Sequence, residues 1–205
     1  MAVSGVGGGR RRRGCRLARP PTSLFSQAVV IVDVLRRAGA AVTLASVESK
    51  KEVTCSRGVV LVADALLSDA AASAPYDAIA LPGGMPGAAR LGECAALMEL
   101  VSAQHAAGRV VAAICAAPAV ALPPAVLAGR RATAHPAFAD KLPDTSAVEA
   151  RVVVDGHVIT SRGPGTALEF ALALVSALFG PDAVAPVAGP MVLGDANTAP
   201  LVVGE

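Results

Sequence analysis

Short apolar runs that switch directly into helical periodicity constrain this chain more than any other feature. Val110 to Ile114 is apolar throughout, and Asp77 to Leu81 is apolar after its first residue. Ala41 to Val47 alternates, and Val59 to Val62 is a further short run. Between them lie stretches with apolar residues at helical spacing: Ser26 to Ala38, Cys94 to Ala107, Ala116 to Leu127 and Thr166 to Phe179. A strand without a polar face must be covered on both sides, and strands alternating with helices form mostly parallel sheets. The expected fold class is therefore α/β, a sheet between two helical layers. Such sheets bind ligands at the carboxyl ends of their strands.

Turn residues punctuate the same pattern. Gly39 and Gly108 stand where helices should stop, and Asp155-Gly156 should join 151–154 to 157–161 as a hairpin. Asp64 to Ala72 reads as a capped short helix, and Ala132 to Ala134 as a short strand. Hydrophobic residues make up 54% of the chain, mostly small Ala, Val and Leu, which suits tight packing of helices on a sheet.

Charge is uneven. Arg10 to Arg13, Arg16 and Arg19 fall in the first 24 residues, which hold no acid. Of the 18 basic residues this leaves 12 against 16 acidic ones, a net of −4 for the remainder. A mildly acidic domain argues against nucleic acid as the main partner. Residues 1–23 are expected to be a disordered basic head, 24–194 the domain, and 195–205 a C-terminal tail. Two long apolar windows, 110–129 and 170–194, are interrupted by Pro118, Pro123 and Pro124 and by Gly180-Pro181 and Pro186. They read as buried strand and helix rather than membrane spans. The four cysteines, Cys15, Cys55, Cys94 and Cys115, show no CxxC or Cys/His metal spacing, so free thiols, no metal and a cytoplasmic location are expected. The Arg-rich head leaves a plastid or mitochondrial transit peptide as the alternative.

The chemistry centres on Cys115. It stands where the apolar strand ending at Ile114 enters the next helix, beside the small residues Ala113, Ala116 and Ala117. A helix start offers free N–H groups and a positive dipole end, and both favour thiolate, the nucleophilic form. A buried, inert core cysteine is the competing interpretation. Leu81-Pro82-Gly83-Gly84 ends the other apolar strand, and its glycines let backbone N–H groups approach a substrate oxygen. The same residues could form a simple turn. His135-Pro136 follows Cys115 by 20 residues and could face it as acid, base or orienting group.

Five ordered segments carry a resemblance. Val32 to Gly39, Leu81 to Gly84, Ala113 to Ala116, Ala134 to Pro136 and Thr160 to Thr166 are similar to the DJ-one/ThiJ/PfpI family, closest to its Parkinson-linked deglycase branch and plant homologues. The similarity runs from about Gln27 to Leu193. It implies a flavodoxin-like α/β/α sandwich, a homodimer and no cofactor. It implies glyoxalase or deglycase activity on methylglyoxal-type dicarbonyls and glycated protein, or else a non-catalytic redox-sensing chaperone in oxidative-stress protection. By the same resemblance Cys115 is the nucleophile and oxidation sensor. Gly83, Gly84 and Ala116 line the oxyanion site, His135 is the neighbouring histidine, and Arg57 lines the substrate site. Cys55 is a secondary redox cysteine near the dimer contact. Ala116 stands where the protease branch has histidine, and Ala137 follows His135-Pro136 where amidotransferases have glutamate, so neither chemistry is expected.

Two positions depart from the resemblance. The family's glutamate beside the reactive cysteine falls on Gln27, whose amide can donate a hydrogen bond but cannot shuttle a proton. Loss of a general base costs about 10²–10⁴-fold, so impaired catalysis is expected. The family's first strand falls on residues 14–19, where Arg16, Arg19 and the following Pro20-Pro21 argue against a buried strand. That strand is expected to be missing.

Overall fold

The computed structural model describes residues 14–19, 25–55, 58–193 and 202–203, with 14–19 and 202–203 described by backbone pairing. The elements run β1 (Gly14–Arg19), α1 (Phe25–Arg37), β2 (Ala41–Ser46), β3 (Glu52–Thr54), β4 (Val60–Val62), β5 (Ala65–Leu66) and α2 (Leu67–Ala71). Next come β6 (Ala78–Leu81), α3 (Gly87–Glu93), α4 (Ala95–Ala106), β7 (Val110–Ile114), α5 (Ala117–Val120) and α6 (Pro124–Leu127). The chain continues with β8 (Val152–Asp155), β9 (Val158–Ser161), α7 (Ala167–Phe179), α8 (Val184–Ala188) and β10 (Val202–Val203).

Eight strands form one sheet in the order β10-β8-β9-β7-β6-β1-β2-β5. Pairing is parallel except between β8 and β9, which form the expected hairpin. Residues on β6 and β7 explain the sandwich. Ala78, Ala80, Ala112 and Ile114 face a core filled by Ile31, Leu35, Phe170 and Leu174 from α1 and α7. Ile79, Leu81, Val111 and Ala113 face the opposite core, filled by Leu91, Leu97 and Val101 from α3 and α4. Both strand faces are apolar because both are covered. Each fully buried Ile, Leu or Phe in these layers contributes about 1.5–3 kcal/mol.

The structure corrects several expectations. Gly14–Arg19 is not missing and does not belong to a separate head. It pairs in parallel with β2 along its whole length and with β6 through residues 15–17. A parallel ladder uses backbone N–H and C=O groups, which arginine carries as well as valine does, and Pro20-Pro21 fall just beyond the last pair. Ala132 to Ala134 is not a strand. The Thr133 N–H donates to the Thr160 side-chain oxygen instead of to a backbone carbonyl, and the Thr133 hydroxyl donates to the Val148 carbonyl. The helix expected over 116–127 divides into α5 and α6 around Pro123. Asp64 does not cap a helix: its carboxylate accepts from the Leu44 N–H and the Arg36 guanidinium. Val60–Val62 pairs with β3 in a separate antiparallel ribbon.

Candidate active site

The sheet order places β1 beside β6, although residues 20–77 intervene in sequence. From β1 the chain goes through α1 to β2 on one side, and from β6 it goes to β7 on the other; such a switch point favours a crevice at the strands' carboxyl ends. Gln27 enters it from the first turn of α1. Gly83 and Gly84 enter from the loop after β6, and Cys115 from the end of β7.

Cys115 adopts φ 68°, in the left-handed region. A side chain costs about 1–2 kcal/mol there relative to the right-handed region. Three features hold it. Its N–H donates to the Ser161 carbonyl at 2.8 Å, and its carbonyl accepts from the His135 N–H at 2.9 Å. The side chain is packed directly against Gly83. A Cβ on Gly83 would overlap the Cys115 Cβ, would stand 2.5 Å from the Ile114 carbonyl and would lie 2.9 Å from the Ala116 nitrogen. Only glycine fits that contact, so the two loops meet backbone to side chain. Cys115 is buried, 4% exposed.

The donors around the sulfur divide into used and available ones. The Gly83 N–H is engaged at 2.9 Å by Gln27 Oε1. No hydrogen bond among the described residues engages the N–H of Gly84 or of Ala116. The helix after Cys115 is a single turn, so these N–H groups, rather than a long helix dipole, are what the site offers.

Gln27 is fully buried, and its Nε2 has no hydrogen-bond partner among the described residues. The amide orientation follows from chemistry: Gly83 presents a donor, so the oxygen must face it and the nitrogen must face away. His135 sits at the head of a 3₁₀ turn, Pro136–Lys141, where its Nδ1 accepts from the Ala137 N–H at 3.2 Å. With Nδ1 accepting, the neutral ring carries its proton on Nε2. His135 is joined to Cys115 through backbone; no hydrogen bond links the ring to the sulfur among the described residues.

One expected residue lies elsewhere. Cys55 is buried near the β3–β4 ribbon, and its Sγ donates to the Val53 carbonyl at 3.6 Å. Arg57 falls outside the described residues. The sequence reading also missed a support behind the elbow. Ser161 Oγ donates to the Arg151 carbonyl at 2.9 Å and shares a 2.6 Å hydrogen bond with Thr166 Oγ1, which in turn bonds Gly163. The signal was a pair of hydroxyl residues, Thr160-Ser161, ending an otherwise apolar strand.

Comparison with known proteins agrees with this fold. Residues 26–177 match the DJ-1/PfpI family. The chain is 48% identical over 169 residues to Protein DJ-1 homolog B of Arabidopsis thaliana, covering 82% of this chain. It spans only 38% of that longer relative. It is 38% identical over 169 residues to a Caenorhabditis elegans protein named glutathione-independent glyoxalase DJR-1.2, covering 82% of this chain and 89% of the relative. The solved structure of oxidized Toxoplasma gondii DJ-1 superposes with a TM-score of 0.83 at 41% identity, covering 88% of this chain and 98% of that one.

Proposed function

This chain belongs to the DJ-1/PfpI family, and from that premise we propose that it is a cofactor-independent, thiol-dependent glyoxalase or deglycase acting on small dicarbonyls and their adducts, impaired by Gln27. The observation that carries the reading is Cys115 itself, held at φ 68° beside the N–H groups of Gly84 and Ala116, which have no partner among the described residues. The Cys115 sulfur adds to the aldehyde carbon of methylglyoxal, and the carbonyl oxygen takes up a proton to give a hemithioacetal. The N–H groups of Gly84 and Ala116 hold the developing oxyanion. A proton then leaves the former aldehyde carbon and returns to the neighbouring carbon, while the hemithioacetal hydroxyl proton passes to the former ketone oxygen, turning the adduct into the thioester of a 2-hydroxy acid. Water hydrolyses the thioester to lactate and restores the thiol. Gln27 can hold a substrate oxygen through Nε2 but carries no proton. His135, whose backbone N–H bonds the Cys115 carbonyl, is the side chain we assign to the transfer.

Lactate formation from methylglyoxal tests the reading. Wild type should exceed Cys115→Ala. Equal rates, together with no gain in Gln27→Glu, would remove the catalytic reading.

A second reading has its own support. The unpartnered Nε2 of Gln27 suits an oxygen acceptor, and a Cys115 sulfinate would supply one without any proton carrier. A redox-sensing chaperone is therefore the alternative. Mild peroxide should add two oxygens to Cys115 by intact mass; an unmodified Cys115 would count against this role. In either reading we propose a cytoplasmic homodimer, with a plastid or mitochondrial location as the alternative. No helix among the described residues is long and apolar enough to cross a membrane.

A further inference from the structure

At the opposite end of the sheet from Cys115, two histidines 52 positions apart meet side chain to side chain. His105 lies in the last turn of α4, before β7 begins, and His157 directly precedes β9. His157 Nε2 and His105 Nδ1 are 2.9 Å apart, with ring centroids at 4.8 Å and planes tilted by 42°. Both positions are fixed by backbone. The Val111 N–H donates to the His157 carbonyl at 2.9 Å, and the Gly108 N–H to the His105 carbonyl at 2.9 Å. Both rings are half-buried, so water and ions reach them from one side.

We propose that His105 and His157 form a two-imidazole site for a divalent transition-metal ion of the nickel and copper class. Two nitrogens at about 2.0–2.1 Å from one ion, set at right angles, stand about 2.9 Å apart. Adjacent positions of a square or octahedral ion therefore match the separation observed, and such geometries with nitrogen donors belong to Cu(II) and Ni(II). A tetrahedral ion would need a wider separation. The ion replaces the hydrogen bond as the rings tilt towards a common vertex. The ring that had donated moves its proton to its other nitrogen through water. Water fills the remaining coordination positions.

Arg130 opposes an incoming cation, and its pairing with Asp155 offsets part of that charge. Arg130 is the cation nearest the pair, and its guanidinium is bound to the Asp155 carbonyl at 3.0 Å and carboxylate at 3.2 Å. The Asp155 carboxylate also accepts from the Arg131 N–H at 3.0 Å. The residues that ligate are unrelated in sequence spacing, so no motif announces them.

Calorimetric titration of the full chain with Ni²⁺ should show one equivalent bound, with Mg²⁺ as a hard-cation control that does not bind. His105→Gln and His157→Gln should each weaken Ni²⁺ binding by about tenfold or more, the scale expected when a metal site loses a group that builds it. A second measurement needs no variant: substoichiometric Ni²⁺ should broaden the ring resonances of His105 and His157 in wild type and leave those of His135 sharp. Unchanged affinity in both variants, or broadening centred on His135, would overturn the site.

Discussion

Gln27 accepts a 2.9 Å hydrogen bond from the Gly83 N–H across 56 positions of sequence, and that bond closes the crevice beside Cys115. It joins the first turn of α1 to the loop after β6, the two segments that diverge from neighbouring strands. Since Gly83 also packs against Cys115, the position of the reactive sulfur is referred through one glycine to the Gln27 side chain.

Replacing Gln27 by glutamate keeps this bond, because a carboxyl oxygen accepts from Gly83 as the amide oxygen does. What changes is the other end, where the unpartnered Nε2 becomes an ionisable oxygen. Gln27→Glu should raise kcat/KM for lactate formation from methylglyoxal by about 10²-fold or more, the scale of a general base. Gln27→Ala should lose the acceptor and leave the Gly83 N–H buried without a partner. A stability loss of about 1–3 kcal/mol by denaturant unfolding is expected for it.

Gly83→Ala tests the close approach. The added methyl would stand 2.5 Å from the Ile114 carbonyl, a backbone atom with little freedom to move. Overpacking of this kind costs about 1–3 kcal/mol. The melting temperature should fall and the iodoacetamide reactivity of Cys115 should change with it. A variant equal to wild type in both would show that the elbow yields more easily than its contacts imply.

Much of this architecture was legible in the chain. The apolar stretches 110–114 and 78–81 could only be strands covered on both faces, and the glycines at 39, 108 and 156 marked turns where φ is indeed positive. Gly14–Arg19 was misjudged because side-chain polarity says little about a strand whose neighbours both need a backbone ladder. At the site, Cys115 and Gly83 could be found because each sits at the end of an apolar run. The Gln27 to Gly83 bond could not, since it depends on which strands become neighbours. His105 and His157 failed to attract notice for the same reason: each is an isolated histidine in sequence, and only the pairing of β7 with β9 brings them together.

The left-handed backbone at Cys115 makes its own prediction. Cys115→Ala removes the sulfur but retains a Cβ at φ 68°, whereas Cys115→Gly removes the strain as well. Glycine visits that region without the cost of about 1–2 kcal/mol borne by other residues. Both variants should be inactive, yet Cys115→Gly should unfold at or above the temperature of Cys115→Ala. The reverse order would mean that the surrounding contacts, and not backbone strain, dominate the stability of the elbow.

Acid should expose the histidine pair. His105 is held below its ordinary value of 6.5 first by burial and then by Arg130; His157 is lowered by burial, Arg130 and His105, against a smaller opposing hydrogen bond. A histidine with a lowered folded-state pKa binds fewer protons folded than unfolded, so stability rises with pH while the unfolded form is taking up the extra proton. Above 6.5 neither state is charged and the pair imposes no penalty. As pH falls below 6.5 the unfolded chain gains protons first, and the penalty grows until the folded rings also titrate. The charged groups facing the pair are Arg130 and its partner Asp155, so protonation sets imidazolium beside guanidinium. The melting temperature should therefore decline from pH 7 to pH 5. The decline should be shallower in the His105→Gln, His157→Gln double variant, which has nothing to protonate there. Parallel melting profiles for the two proteins across that interval would show that the pair does not couple protonation to folding.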